Sequence, residues 1–169
     1  VSNTVYLMLS QPDSLINFSQ IMDKGMVLLV NLSGIGSKAR SVLGCFILSL
    51  LHLTALSRSS TSPGDRKQFH IHCDEAHRFM TDSLEDLIAE TRKYKVSLSL
   101  AHQYMSQFGK RKTDAFSSVG STIIFNVDSR DAGYLIKDLH KKVKIEDLVS
   151  LEIGEAIARI GTDIVRVRT

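Results

Sequence analysis

The chain has 169 residues, 43% of them apolar and 23% charged, and a formal net charge of +3. That length can bury a real core as one domain spanning 1–169, and the weak positive charge permits an anionic partner without demanding one. Two cysteines, Cys45 and Cys73, both in apolar runs, read as buried thiols of a reducing compartment and exclude a disulfide framework.

The first residue is valine and no signal peptide follows, so we expect a piece cut from a longer chain. Met26–Leu32, MVLLVNL, is a continuous apolar run after Gly25 and predicts a strand buried on both faces. A long helix is expected from about Ser37 to Leu56. Its core, SVLGCFILSLLHLTAL, is shorter than a spanning helix needs and is interrupted by Ser49 and His52, so it reads as a core helix. Residues 57–67, rich in serine, proline and glycine, predict an exposed loop. Gln68–Cys73 is the next strand. Asp82 can cap a helix with Glu85 at capping-box spacing, and Leu84, Leu87, Ile88 and Thr91 form its apolar face. Val96–Ala101 and Ser121–Val127 predict two more strands, 131–139 a helix, and the C-terminus a hairpin turning at Gly161–Asp163. Strands alternating with helices imply crossovers and a mostly parallel sheet, with ligands at the carboxyl ends of its strands.

Two glycine loops are decoys. Gly34, Gly36 and Ala39 match a dinucleotide fingerprint, but no Asp or Glu lies between Asp23 and Asp65 to hold a ribose. Walker A, G-x-x-x-x-G-K-S/T, occurs nowhere: Lys38 follows Ser37, and Gly109-Lys110 precedes Arg111.

The stretch FHIHCDEAHRF, Phe69 to Phe79, ends a buried strand in Asp74-Glu75, the Walker B form. An Asp at that tip can hold Mg²⁺ through water, and the following Glu can orient and deprotonate the attacking water. Asp74-Glu75-Ala76-His77 also spells the signature of a helicase class. The next strand, however, ends Leu100-Ala101-His102-Gln103 where those helicases carry Ser-Ala-Thr, and no late arginine-rich motif follows. His70 and His72 share a strand face with Asp74, but no further ligand lies near, so they read as partly buried, hydrogen-bonded histidines rather than a metal site. Two basic clusters, Lys110-Arg111-Lys112 and His140 to Lys144, suit either phosphate contacts or a solvated surface.

The blocks MDKGMVLLVNLS, LGCFILSLLHLTALSR, the long run from FHIHCDEAHRF through RKYKVSLSLAHQYMSQF, VGSTIIFNV and GEAIARI together resemble the second half of the RecA-like motor domain of HerA/FtsK-type translocases. The nearest resemblance is to the ATPases and coupling proteins of conjugative and type IV secretion systems. It covers the chain from about Gln11. It implies a three-layer α/β, mostly parallel RecA-like sheet lacking its P-loop strand, with a C-terminal β-hairpin. It implies ATP and Mg²⁺ as cofactors of the parent, Asp74 as the Mg²⁺-supporting acid, Glu75 as catalytic base, and Gln103 as sensor of the γ-phosphate. Arg92 stands in the family's Arg-Lys-Tyr block. About ten helical residues, ~15 Å, separate it from its own acid pair, so it serves either as an arginine finger across a subunit interface or as a helix-end cation.

The resemblance further implies a ring, a hexamer in the parent, which moves DNA or secreted protein at the cytoplasmic face of the inner membrane. Lys110, Arg111 and Lys112 are the candidate nucleic-acid contacts. Lacking Walker A, the chain alone is expected to bind no nucleotide and to be inactive. The P-loop strand would lie between the strand ending at Gln103 and Ser121–Val127, so either these pair and close the gap or two strand edges stay exposed. We expect a closed sheet or an edge-paired oligomer. Two other readings stay open: a non-enzymatic module derived from such an ATPase, and a small-ligand α/β domain using the Gly34–Gly36 turn.

Overall fold

A computed structural model describes residues 6, 10, 12, 15–108, 119–140 and 142–168. The chain divides into two compact units, Val1–His102 and Gln103–Thr169.

In the first unit, α1 (Phe18–Lys24) is capped by Asn17, whose side chain accepts from Gln20 N–H. The helix stops at left-handed Gly25. The long helix α2 (Ser37–Ser57) follows, then β1 (Phe69–Cys73), α3 (Asp82–Glu90) and β2 (Val96–Leu100). β1 and β2 pair in parallel, Phe69 opposite Val96 through Cys73 opposite Leu100. That is the crossover expected from a strand, a helix and a strand in sequence. Alternation puts Ile71 and Val96 in the core with Leu48, Leu51 and Ala55 of α2 and Leu84 and Leu87 of α3. Each fully buried aliphatic side chain contributes about 1.5–3 kcal/mol, so this cluster, rather than strand propensity, holds a two-stranded sheet. The opposite face carries His70, His72, Ser97 and Ser99.

Several expectations need correction. Residues 26–32 form no strand: the segment joins no ladder, and Val27 and Leu29 are 85% and 87% exposed. Their apolarity suits burial, but a strand also needs a neighbour's backbone, and β1 pairs only with β2 among the described residues. The α3 cap is Thr81 rather than Asp82, without a side-chain cap bond. The expected apolar face is right, with Leu84, Leu87 and Thr91 buried. The 57–67 loop is exposed except for Arg66, which is half-buried, and Arg58, which is 3% exposed. Its Nε and Nη2 donate to Asp23 Oδ1 (3.2 and 3.1 Å), and its Nη1 to Lys67 O (3.0 Å) and Tyr94 O (3.2 Å).

By length and composition the helix Ser37–Ser60 could cross a membrane. Its inner side packs on the core as a core helix does, while Val42, Phe46 and Leu53 face outward.

The second unit is an antiparallel sheet, β3 (Ser121–Ile124), β4 (Glu155–Ile160) and β5 (Asp163–Arg168), in that order. Ile124 faces Ile157, and β4 turns into β5 at left-handed Gly161, in line with the expected hairpin. Helices α4 (Ser129–Asp138) and α5 (Ile145–Val149) bury Ala132 and Leu148 against Ile124 and Ile157. The strand expected over 121–127 ends at Ile124. Asn126 leaves the ladder to donate to Val149 O (3.0 Å) and Leu151 O (2.8 Å). No ladder joins β2 to β3 among the described residues, so the closed sheet expected between them is not formed.

Candidate functional site at the tip of the parallel strands

β1 delivers Asp74 and Glu75 to its carboxyl end. Ala101 N–H donates to Cys73 O (2.9 Å) and Ala76 N–H to Ala101 O (3.0 Å), so the tip of β2 grips the turn on both sides of the acid pair. Glu75 N–H donates to Asp74 Oδ1 (2.8 Å). Glu75 is left-handed, φ 51° and ψ 41°, which costs a side chain other than glycine about 1–2 kcal/mol. A short 3₁₀ turn, Ala76–Phe79, continues from it, with Arg78 N–H on Glu75 O at 2.9 Å.

Phe79 locks that turn to α2. It is buried against Gly44, where a Cβ would lie 2.2 Å from the ring. Only glycine fits there, a constraint that the apolar run around Gly44 did not signal.

The Glu75 carboxylate meets two neighbours at the same oxygen. His77 Nε2 lies 3.7 Å and Arg78 Nε 3.5 Å from Oε2. The strand-end rule for ligand sites reaches His77 in the sequence, but nothing there singles out Arg78, although position i+3 in EAHR was open to inspection. The acid pair lines one end of a cleft of about 790 Å³. Its walls are residues 25–30 and 68–75, and its floor is Gly44, Leu48 and Leu51 of α2. Arg40 and Arg78 line it too, and the Nε of each is buried without a hydrogen-bond partner. Beneath the site the Cys73 thiol is pushed up to about 11, mainly by burial, with the Asp74 carboxylate and Cys45 adding. Neither cysteine is in a disulfide, and both are half-buried.

Arg92 is exposed in the 3₁₀ turn Thr91–Tyr94 that leads into β2. Phe69 N–H donates to Lys95 O (2.9 Å), so that turn lies at the amino ends of the strands. The acid pair is at their carboxyl ends, about 16 Å of strand away. Gln103 opens the second unit, three residues past β2. Lys110, Arg111 and Lys112 lie outside the described residues, as does Lys141 of the second basic cluster. His70 and His72 are exposed, stacked 6.4 Å apart, with His70 Nδ1 hydrogen-bonded to Ser97 Oγ. No group of three or more metal-ligating side chains forms among the described residues.

No family model and no curated protein matches the chain. Solved structures do. VirB4 of Thermoanaerobacter pseudethanolicus superposes with a TM-score of 0.60 at 16% identity, over 81% of this chain and 38% of that one. The fold is that of the RecA-like ATPases. The genome packaging NTPase B204 of Sulfolobus turreted icosahedral virus 2, in complex with ATP-gammaS, gives 0.62 at 12% identity, over 90% of this chain and 71% of that one. The bacterial conjugative coupling protein TrwB gives 0.60 at 14%, over 72% of this chain and 35% of that one. These neighbours are P-loop ATPases of the HerA/FtsK type. The RecA-like chain thus spans little more than a third of VirB4 and TrwB and about seven-tenths of B204.

Proposed function

We propose that this chain is the Walker B and sensor half of an ATP-hydrolysing motor that moves DNA or protein, of the conjugation or type IV secretion kind. The observation that carries the reading is the Asp74-Glu75 pair on a strained turn at a parallel strand's tip, gripped by the neighbouring strand. Strain of this sort persists where the surroundings over-determine it, commonly at functional sites.

The residues fit one side of a Mg²⁺-nucleotide site and lack the other. Asp74 is a strand-tip carboxylate of the kind that holds Mg²⁺ through water. The turn at Gly34–Gly36 is no phosphate cradle, because it lacks the lysine and hydroxyl of a P-loop. The nucleotide, when bound, supplies the electrophilic phosphorus, and Mg²⁺ offsets its charge. Glu75 orients the attacking water and takes its proton. Gln103 senses the γ-phosphate, and Arg92 reaches the site of a second copy in a ring, a hexamer in the parent. The B204 NTPase was solved in complex with ATP-gammaS and with AMPPCP, which supports nucleotide binding in the parent. Lys110, Arg111 and Lys112 are proposed contacts to nucleic acid. The motor works at the cytoplasmic face of the inner membrane, beside membrane-associated secretion machinery.

In the full-length motor, Glu75→Gln should bind ATP nearly normally and lose turnover by orders of magnitude, because only the water-activating group is removed. Turnover within about threefold of wild type would remove Glu75 from the mechanism. Arg92→Ala should also be inactive, and mixing the two variants should restore activity at interfaces that pair intact Glu75 with intact Arg92. A mixture no more active than its parts would refute the cross-subunit role.

A further inference from the structure

We propose that Arg78, assisted by His77, is a positioning residue that holds the Glu75 carboxylate in its working orientation. The proposal rests on the reading of Glu75 as the base.

A glutamate side chain turns about three bonds, and a base is effective only within hydrogen-bond reach of the proton it takes. Two groups converge here on one oxygen, Oε2: Arg78 Nε at 3.5 Å and His77 Nε2 at 3.7 Å. Fixing one carboxylate oxygen sets the direction of the other. The left-handed turn at Glu75 brings residues two and three positions later over its side chain. Phe79, wedged against Gly44, keeps Arg78 in place.

Arg78 Nε is buried and makes no hydrogen bond. A buried guanidinium donor left unmet is uncommon in a folded protein. This one stands just outside bonding distance of a carboxylate. Catalytic hydrogen bonds are often long without substrate and tighten when it binds. A shift of about half an ångström closes this contact into a charge-assisted bond, which spans about 2.7–2.9 Å in its shorter form and up to 3.2 Å in ordinary ones. Arginine suits the task because it stays charged and its planar fork is rigid.

The test is a double-mutant cycle on ATP turnover by the full-length motor, with Glu75→Gln, Arg78→Ala, Arg78→Lys and the combination Glu75→Gln/Arg78→Ala. Arg78→Ala should lower kcat about tenfold to a hundredfold, in the range general-base effects span. KM should stay within about threefold, and Arg78→Lys should recover part of the loss. In the Glu75→Gln background, Arg78→Ala should cost less than about twofold, because a positioning residue has nothing left to position. An Arg78→Ala kcat within about threefold of wild type, alongside an inactive Glu75→Gln, would overturn the proposal and spare the functional reading. So would an equal loss in both backgrounds, since Arg78 would then act independently of Glu75. A fully active Glu75→Gln would sink the functional reading itself. If Arg78→Ala does not fold, the same cycle run with Arg78→Lys separates these outcomes.

Discussion

Glu75 combines three features in one residue: a carboxylate at a strand tip, a left-handed backbone and two side-chain nitrogens close to one oxygen. The acid pair's place at a strand tip was legible in the sequence because an apolar run that ends in two acids is a local pattern. The approach of His77 and Arg78 was not, because it depends on the sign of one φ angle. Cys73, one residue upstream, offers a separate check on the burial of β1. Its thiol is raised to about 11 from an ordinary 9.0. Alkylation needs the thiolate, so at pH 8 the folded chain should react with iodoacetamide on the order of a hundredfold more slowly at Cys73 than the urea-unfolded chain does. Equal rates would show that the tip of β1 is open. Because the folded-state value is raised, the protonated thiol favours the folded state most at and below pH 9. That preference is lost as pH climbs from 9 toward 11.

At the scale of elements, α2, β1, β2, the apolar face of α3 and the hairpin were legible, since each is written in a local period or turn. Residues 26–32 were not, because their apolar pattern leaves pairing unspecified and no ladder takes them up. Nor was the role of Arg58 legible, since a Ser-rich loop conceals a buried guanidinium whose partners are 35, 9 and 36 residues away. Arg58 ties the end of α1, the strand entry at Lys67 and the turn at Tyr94 together. Arg58→Met should therefore destabilise the chain by about 2–4 kcal/mol, as it leaves the Lys67 and Tyr94 carbonyls without this donor. Asp23→Asn should cost no more than about 1 kcal/mol, because Asp23 is more than half exposed and screened by water. Urea unfolding checks both. Similar losses in the two variants would mean that the ion pair, not the carbonyl clamp, carries the effect.

At the scale of the whole molecule, strand edges and apolar side chains lie open at the surface. β2 has no second neighbour and β3 none beyond β4 among the described residues. Ile123, Phe125, Ile160 and Val165 of the second unit lie exposed, as do Val42, Phe46 and Leu53 on α2. Open strand edges and apolar patches of this kind invite partners. The chain spans 38% of VirB4 and 35% of TrwB, and the proposed function makes it a half that works only with its counterpart. The direct test of that claim is calorimetric titration of this 169-residue chain with Mg-ATP. No binding is expected, because no P-loop sequence in this chain completes the acid pair. A dissociation constant below ~100 μM, in the range usual for enzyme substrates, would show a phosphate site within these residues and contradict it.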